Sequence, residues 1–289
     1  MTLTRFAPSP TGLLHLGHAY SAWLSEGMGQ RFLLRLEDID IGRCRSQFVE
    51  AILRDLAWLG LRWADPIWRQ SQRLKTYSQA LEQLQATGLI YPCFCTRKDI
   101  ADQIARSASA PHGPDGPLYP GTCRRLPADA RAALLASGRP HAWRLDTAAA
   151  LARVERLTWT DRRHGVIEAR PERLGDVVLA RKDVPTSYHL AVVIDDAAQH
   201  VDLVVRGMDL FESTHMHRLL QALLDLPVPA YHHHGLITDS AGRRLAKRHD
   251  AQSLQALREA GRTPEQVRSE LRGWAERLGD LPQGHASRA

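Results

Sequence analysis

Arg5-Phe-Ala-Pro-Ser-Pro-Thr-Gly-Leu-Leu-His15-Leu-Gly-His18 decides the fold of this 289-residue chain. Arg5-Phe6-Ala7 reads as a short strand and Pro8 to Gly12 as a tight turn, and a helix is predicted from about His15 through Trp23. Side chains three residues apart share a helix face, so His15 and His18 point the same way. They do so at a helix N-terminus, where exposed N–H groups and the helix dipole attract anions. A strand, a turn and a helix start carrying two imidazoles make a nucleotide phosphate site in an α/β chain.

That turn, followed by His15-Leu-Gly-His18, resembles the class I aminoacyl-tRNA synthetases of the glutamyl/glutaminyl group, the four residues standing at their HIGH signature. The resemblance implies a Rossmann-type catalytic domain that binds ATP, with a basic loop downstream that closes over the phosphates. Gly242-Arg-Arg-Leu-Ala-Lys-Arg248 is the candidate loop. It departs from the family's KMSKS pattern, with Arg244 at the first lysine and Ala246 at the serine, while Lys247 keeps the second lysine. Arginine keeps the charge and can fork onto phosphate, whereas Ala246 loses a hydroxyl donor.

Three further segments are similar to the amino-acid pocket of that family. Leu34-Arg-Leu-Glu37-Asp38-Ile-Asp40 alternates as a strand and then ends in three acids, at the edge where open α/β sheets bind ligands. Ser187-Tyr188-His-Leu-Ala191 resembles the Tyr-His-Leu-Ala segment, and Leu203-Val-Val-Arg206-Gly207 the Val-Ile-Arg-Gly segment. By resemblance Arg5, Ser9, Glu37, Tyr188 and Arg206 surround the bound amino acid, with Phe6, Ala7 and Pro8 completing the wall. Glutamate carries two carboxylates and one ammonium, so its pocket needs guanidinium groups and one carboxylate. Arg206 is expected to face the side-chain carboxylate and Glu37 the ammonium. His15, His18 and Lys247 are expected on the ATP phosphates, accompanied by Mg²⁺ and joined by Arg244.

Four cysteines in a chain with no apolar leader after Met1 suit a reducing, cytoplasmic setting rather than a disulfide scaffold. Cys44 stands alone as a structural thiol. Cys93-Phe-Cys95 and Cys123 are expected to supply three thiolates to one zinc ion, and tetrahedral coordination needs a fourth donor, for which His112, Tyr119 and water are the candidates. The resemblance selects Tyr119, because Tyr119-x-x-x-Cys123 matches the family's spacing.

The anchors divide the chain into a first half of the catalytic domain (1–90), a zinc-binding, arginine-rich insertion (91–175), a second half with the basic loop (176–249) and a short helical tail (250–289). A helix is expected at about Gln72 to Thr87, with Leu74, Tyr77, Leu81 and Leu84 on one face. Between Gly121 and Arg173 there are eleven arginines against six acids, in a chain of net charge +6. An excess of five in one stretch suits a phosphate backbone. No membrane-length apolar run, heptad array or internal repeat occurs.

Only about forty residues follow the basic loop, too few for an anticodon-reading module. The resemblance therefore narrows to a compact branch that carries the catalytic half alone and transfers activated glutamate to queuosine in the anticodon stem-loop of tRNA(Asp). A monomeric ligase is expected. Two alternatives are a related enzyme with another acceptor and an inactive, synthetase-derived binding protein, the latter suggested by Arg244 and Ala246.

Overall fold

From the N-terminus, β1 (Leu3–Phe6) leads through α1 (Leu16–Met28) to β2 (Arg31–Leu36), α2 (Ser46–Trp58), β3 (Ala64–Arg69) and α3 (Leu74–Ala86). An inserted region then runs through β4 (Ile90–Cys93), α4 (Arg97–Arg106), β5 (His112–Gly113), β6 (Gly116–Pro117), α5 (Ala128–Ala136), β7 (Ala142–Leu145), α6 (Thr147–Leu151), β8 (Thr158–Asp161), β9 (Gly165–Glu168) and β10 (Val178–Ala180). The chain returns with α7 (Tyr188–Ala198), β11 (Leu203–Gly207), α8 (Phe211–Leu223), β12 (Ala230–His234), α9 (Leu254–Glu259) and α10 (Pro264–Leu278). This computed structural model describes residues 1–106, 112–113, 116–237 and 253–281.

The large sheet has the order β3-β2-β1-β11-β12-β8-β9, parallel from β3 to β8, with β9 antiparallel at the edge. Parallel strands are covered on both faces, so they read as continuous apolar runs. Phe32, Leu33, Leu34 and Leu36 of β2, and Leu203, Val204 and Val205 of β11, are all buried. Strand order reverses between β1 and β11, which opens a crevice beyond their C-terminal ends. The predicted helix after the Pro/Gly turn is α1, and the predicted apolar face of α3 holds, with Tyr77, Leu81 and Leu84 buried.

β8 and β9, which fall within 91–175, belong to the large sheet, because β8 pairs with β12 through Asp161 and Tyr231. β4 and β7 pair antiparallel in a separate sheet, of order β10-β7-β4.

The C-terminal helices brace the catalytic face. Ser253 caps α9, and Thr263 caps α10 in a reciprocal box with Gln266, each such cap contributing about 1 kcal/mol. Gly279 closes α10 at φ 69°, a left-handed turn that glycine takes without steric cost. This turn brings Asp280, 1% exposed, to the Tyr20 hydroxyl, Arg163, His232 and the Gly235 N–H, tying the C-terminal segment to α1 and β12.

Candidate active site

A cavity of about 430 Å³ fills the crevice at the strand-order reversal. Every described residue expected there lines it: Arg5, Phe6, Ala7, Pro8 and Ser9 after β1, His15 and His18 at α1, Glu37 after β2, Tyr188 at the start of α7 and Arg206 on β11. Arg244, Ala246 and Lys247 lie outside the described residues. Two described residues that bracket them are at the site: Ile237 lines the cavity, and Ser253 bridges His15 while Leu254 N–H donates to the Leu14 carbonyl.

His15 is the N-cap of α1 rather than its first helical residue. Its Nδ1 accepts from the Gly17 N–H at 3.1 Å, and His18 Nδ1 accepts from the His15 N–H at 3.2 Å. The two rings lie 3.8 Å apart. With each Nδ1 engaged as an acceptor, the neutral tautomer carries its hydrogen on Nε2. Capping thus sets which nitrogen of each ring can donate to an anion.

Three arginines are buried among the described residues, and they differ in their partners. Arg5 is held bidentately by Asp196 at 3.0 and 3.3 Å. Arg35 meets Asp196 at 2.8 Å, with Asp195 and Glu37 beyond. Arg206, 4% exposed, has only neutral partners among the described residues: Tyr188 Oη at 3.2 Å, Thr214 Oγ1 at 2.5 Å, His217 Nδ1 at 3.3 Å and His233 Nε2 at 3.1 Å. A buried guanidinium without a carboxylate is costly unless a ligand supplies one. Among the described residues, Arg206 is therefore a positive group of the cavity that no carboxylate matches.

Its negative counterpart is Glu37. Burial pushes the Glu37 carboxyl up to about 7, against the pull of the Arg35 and Arg5 charges. A cation seated beside it would restore ionisation. The cavity thus presents an arginine without a carboxylate partner and a carboxylate short of positive charge, complementary to an acidic amino acid.

Sequence reading missed the groups behind Arg206, namely Asp161, Thr214, His217 and His233. The signals were present as His215-Met-His217 on α8 and His232-His-His234 on β12, since buried imidazoles need polar partners.

A second cluster lies in the insertion. The Sγ atoms of Cys93, Cys95 and Cys123 are all within 4.8 Å of one another. Cys95 Sγ lies 3.5 Å from Cys123 Sγ and 3.6 Å from Tyr119 Oη. Tetrahedral zinc with bonds of about 2.3 Å spaces its sulfur donors by roughly 3.8 Å, so the donor set is compatible with that ion. Tyr119 Oη also accepts from the Cys123 N–H at 2.9 Å, which holds it beside the three thiols. The His112 side chain lies outside the described residues. Burial raises the Tyr119 hydroxyl far above the ordinary phenol value, so its ionisation would need a cation alongside.

Between the two clusters runs a groove of about 900 Å³ that shares Ser9, Thr11, Glu37 and Tyr188 with the first cavity. Arg43, Arg97, Arg144, Arg181 and Lys182 line it, with Asp40 and Asp183 among them. The arginine-rich stretch is a less uniform surface than its composition suggested. Arg124 pairs with Asp176, Arg156 with Glu168, Arg163 with Asp280 and Arg173 with Glu212. No described helix is long and apolar enough to cross a membrane.

Residues 1–280 match the family model for tRNA synthetases class I (E and Q), catalytic domain. A glutamyl-Q tRNA(Asp) synthetase of Rhodobacter capsulatus is 50% identical, the match covering 92% of this chain and 98% of the relative. One of Nocardia farcinica is 47% identical, covering 91% and 81%. Among solved structures, a glutamate-tRNA synthetase from Elizabethkingia anophelis superposes with a TM-score of 0.78 at 26% identity, covering 93% of this chain. The chain spans 61% of that longer enzyme's length.

Proposed function

The chain belongs to the class I tRNA synthetases of the glutamate and glutamine group, and on that premise we propose that it activates L-glutamate with ATP and passes the glutamyl group to queuosine of tRNA(Asp). The observation that carries the substrate is Arg206, the buried arginine with no carboxylate partner among the described residues, facing Glu37 across one cavity. The acceptor rests on the name shared by the relatives at 50, 47 and 43% identity.

In the first step a carboxylate oxygen of glutamate attacks the α-phosphorus of ATP. The new O–P bond forms as the bond to pyrophosphate breaks, giving glutamyl-adenylate. Such chemistry is governed by positioning and by charges fixed in advance. His15 and His18 donate to phosphate oxygens through Nε2, and Lys247, with Arg244, neutralises the departing pyrophosphate. Mg²⁺ accompanies ATP. Glu37 holds the ammonium, and Arg206 with Tyr188 holds the side-chain carboxylate, while Arg5, already neutralised by Asp196, keeps the wall in place. In the second step a hydroxyl of the queuosine cyclopentenediol attacks the adenylate carbonyl and AMP leaves.

The experiment is glutamate-dependent ATP–pyrophosphate exchange without RNA, followed by transfer of labelled glutamate to queuosine-containing tRNA(Asp). Exchange supported equally by glutamine, or none with glutamate, would remove this reading.

Two predictions follow from the site's chemistry. Below about pH 7 the Glu37 carboxyl takes up its proton and the ammonium loses its counter-charge. kcat/KM for glutamate in exchange is then expected to fall by about tenfold per pH unit, with Glu37→Gln removing that limb of the profile. A flat wild-type profile between about pH 5.5 and 8 would count against the role of Glu37.

Zinc is proposed on Cys93, Cys95, Cys123 and Tyr119, where it would hold β4 and the turn before α5 together. Elemental analysis is expected to find about one zinc per chain, lost from a Cys93→Ser/Cys123→Ser variant because thiolates supply most of the affinity. The metal-free variant is expected to keep part of its exchange activity and to lose more of its transfer to RNA. Zinc-free protein after purification without chelator would contradict the assignment.

A further inference from the structure

We propose that His217 and His233 are positioning residues for amino-acid selection: they hold the Arg206 guanidinium through neutral imidazole nitrogens, so that its positive charge is kept for the side-chain carboxylate of the substrate. The proposal rests on the reading of Arg206 given above and names what enforces it.

The geometry fixes the direction of each hydrogen bond. Arg206 has only donors, so His233 Nε2 accepts from Nε at 3.1 Å, and His217 Nδ1 accepts from Nη1 at 3.3 Å. Each imidazole must then carry its hydrogen on the other nitrogen. His233 Nδ1–H donates to Asp161 Oδ2 at 2.7 Å, and His217 Nε2–H donates to His189 Nδ1 at 3.2 Å. Asp161 is itself anchored by the N–H groups of Arg163, His164 and His233. Register reinforces the arrangement, because Arg206 on β11 and His233 on β12 are direct cross-strand partners.

Four of the five N–H donors of Arg206 are committed in this way, the others to Tyr188 and Thr214. One hydrogen on Nη2 remains for a ligand. Tyr188, accepting through its oxygen, keeps its own hydroxyl hydrogen to donate. Both residues line the cavity.

The charge state of the bracket agrees with its geometry. Burial and the Arg206 charge hold His217 well below its ordinary value and His189 at about 4. Burial likewise holds His233 at about 4, although its bond to Asp161 opposes the shift. Asp161 is thus separated from Arg206 by a neutral ring. The site orients the guanidinium without cancelling it.

The test compares two replacements that put an oxygen where His217 Nδ1 lies. His217→Asn keeps a neutral acceptor, whereas His217→Asp places a carboxylate on Arg206 and neutralises it internally. His217→Asp is expected to raise KM for glutamate by about 10²-fold while KM for ATP and kcat change little, and to erase the preference for glutamate over glutamine. His217→Asn is expected to recover most of that loss. A wild-type KM in His217→Asp, an equal loss in His217→Asn, or a parallel rise in KM for ATP would overturn the proposal.

Should His217→Asp fail to fold, Asp161→Ala asks the same question. It removes the acceptor that holds the hydrogen on His233 Nδ1, so that nothing keeps Nε2 as an acceptor toward the guanidinium. KM for glutamate should then rise about tenfold with kcat retained, and an unchanged KM would overturn the proposal. Arg206→Gln separates the two levels of inference. If that variant keeps the glutamate preference, the reading of Arg206 itself fails. If it loses the preference while the His217 and Asp161 variants keep theirs, only the bracket fails.

Discussion

Arg206→Gln is expected to lower kcat/KM for glutamate in pyrophosphate exchange by about 10³-fold, while exchange supported by glutamine changes by less than about tenfold. The asymmetry follows from what the substitution removes. A buried charge-assisted pair is worth several kcal/mol, because breaking it leaves the remaining carboxylate desolvated and unmatched. Glutamine brings no such charge and loses only a neutral hydrogen bond. Lysine should rescue poorly, since its ammonium cannot keep the four directional bonds to Tyr188, Thr214, His217 and His233. Steady-state exchange with both amino acids checks the result, and equal losses for glutamate and glutamine would mark Arg206 as structural.

The strand-turn-helix at the N-terminus was legible because Pro8, Pro10 and Gly12 punctuate it and because two histidines three apart declare a helix face. The clustering of Cys93, Cys95 and Cys123 was legible for a similar reason, since two of them bracket one residue and thiols are few in the chain. What escaped the sequence depends on long-range pairing. Nothing in the local pattern of β8 shows that Asp161 pairs with Tyr231, 70 residues on in the chain, in the large sheet. Arg5, Arg35 and Arg206 look alike in sequence, and only the fold separates them by putting Asp195 and Asp196 of α7 under the first two. The histidine bracket comes from α8 and β12, whose histidine runs mark polar positions without showing that two of them meet at one arginine. Composition likewise counts the arginines of the insertion without revealing which are already paired.

A stem-loop that carries the tRNA(Asp) anticodon and queuosine is expected to accept glutamate, whereas the same hairpin with unmodified guanosine should give no transfer above background. The expected contrast is close to all or none, because the cyclopentenediol supplies the attacking hydroxyl. The groove between the cavity and the thiol cluster would give the hairpin a path. It adjoins the proposed adenylate site at Ser9, Glu37 and Tyr188, and five basic side chains line it. RNA loops are recognised by shape and by unstacked bases, with phosphate contacts supplying much of the affinity. Transfer efficiency should therefore fall with rising salt, and charge removal at Arg97 or Arg144 should flatten that dependence. Both the queuosine diol and the terminal ribose of intact tRNA present vicinal hydroxyls, so periodate cannot tell them apart. Intact tRNA(Asp) ending in a 3′-deoxy nucleotide can. Its continued glutamylation is expected if queuosine is the acceptor, whereas transfer that stops with that change, or that proceeds on tRNA(Glu) lacking queuosine, would assign the reaction to the ordinary 3′ end.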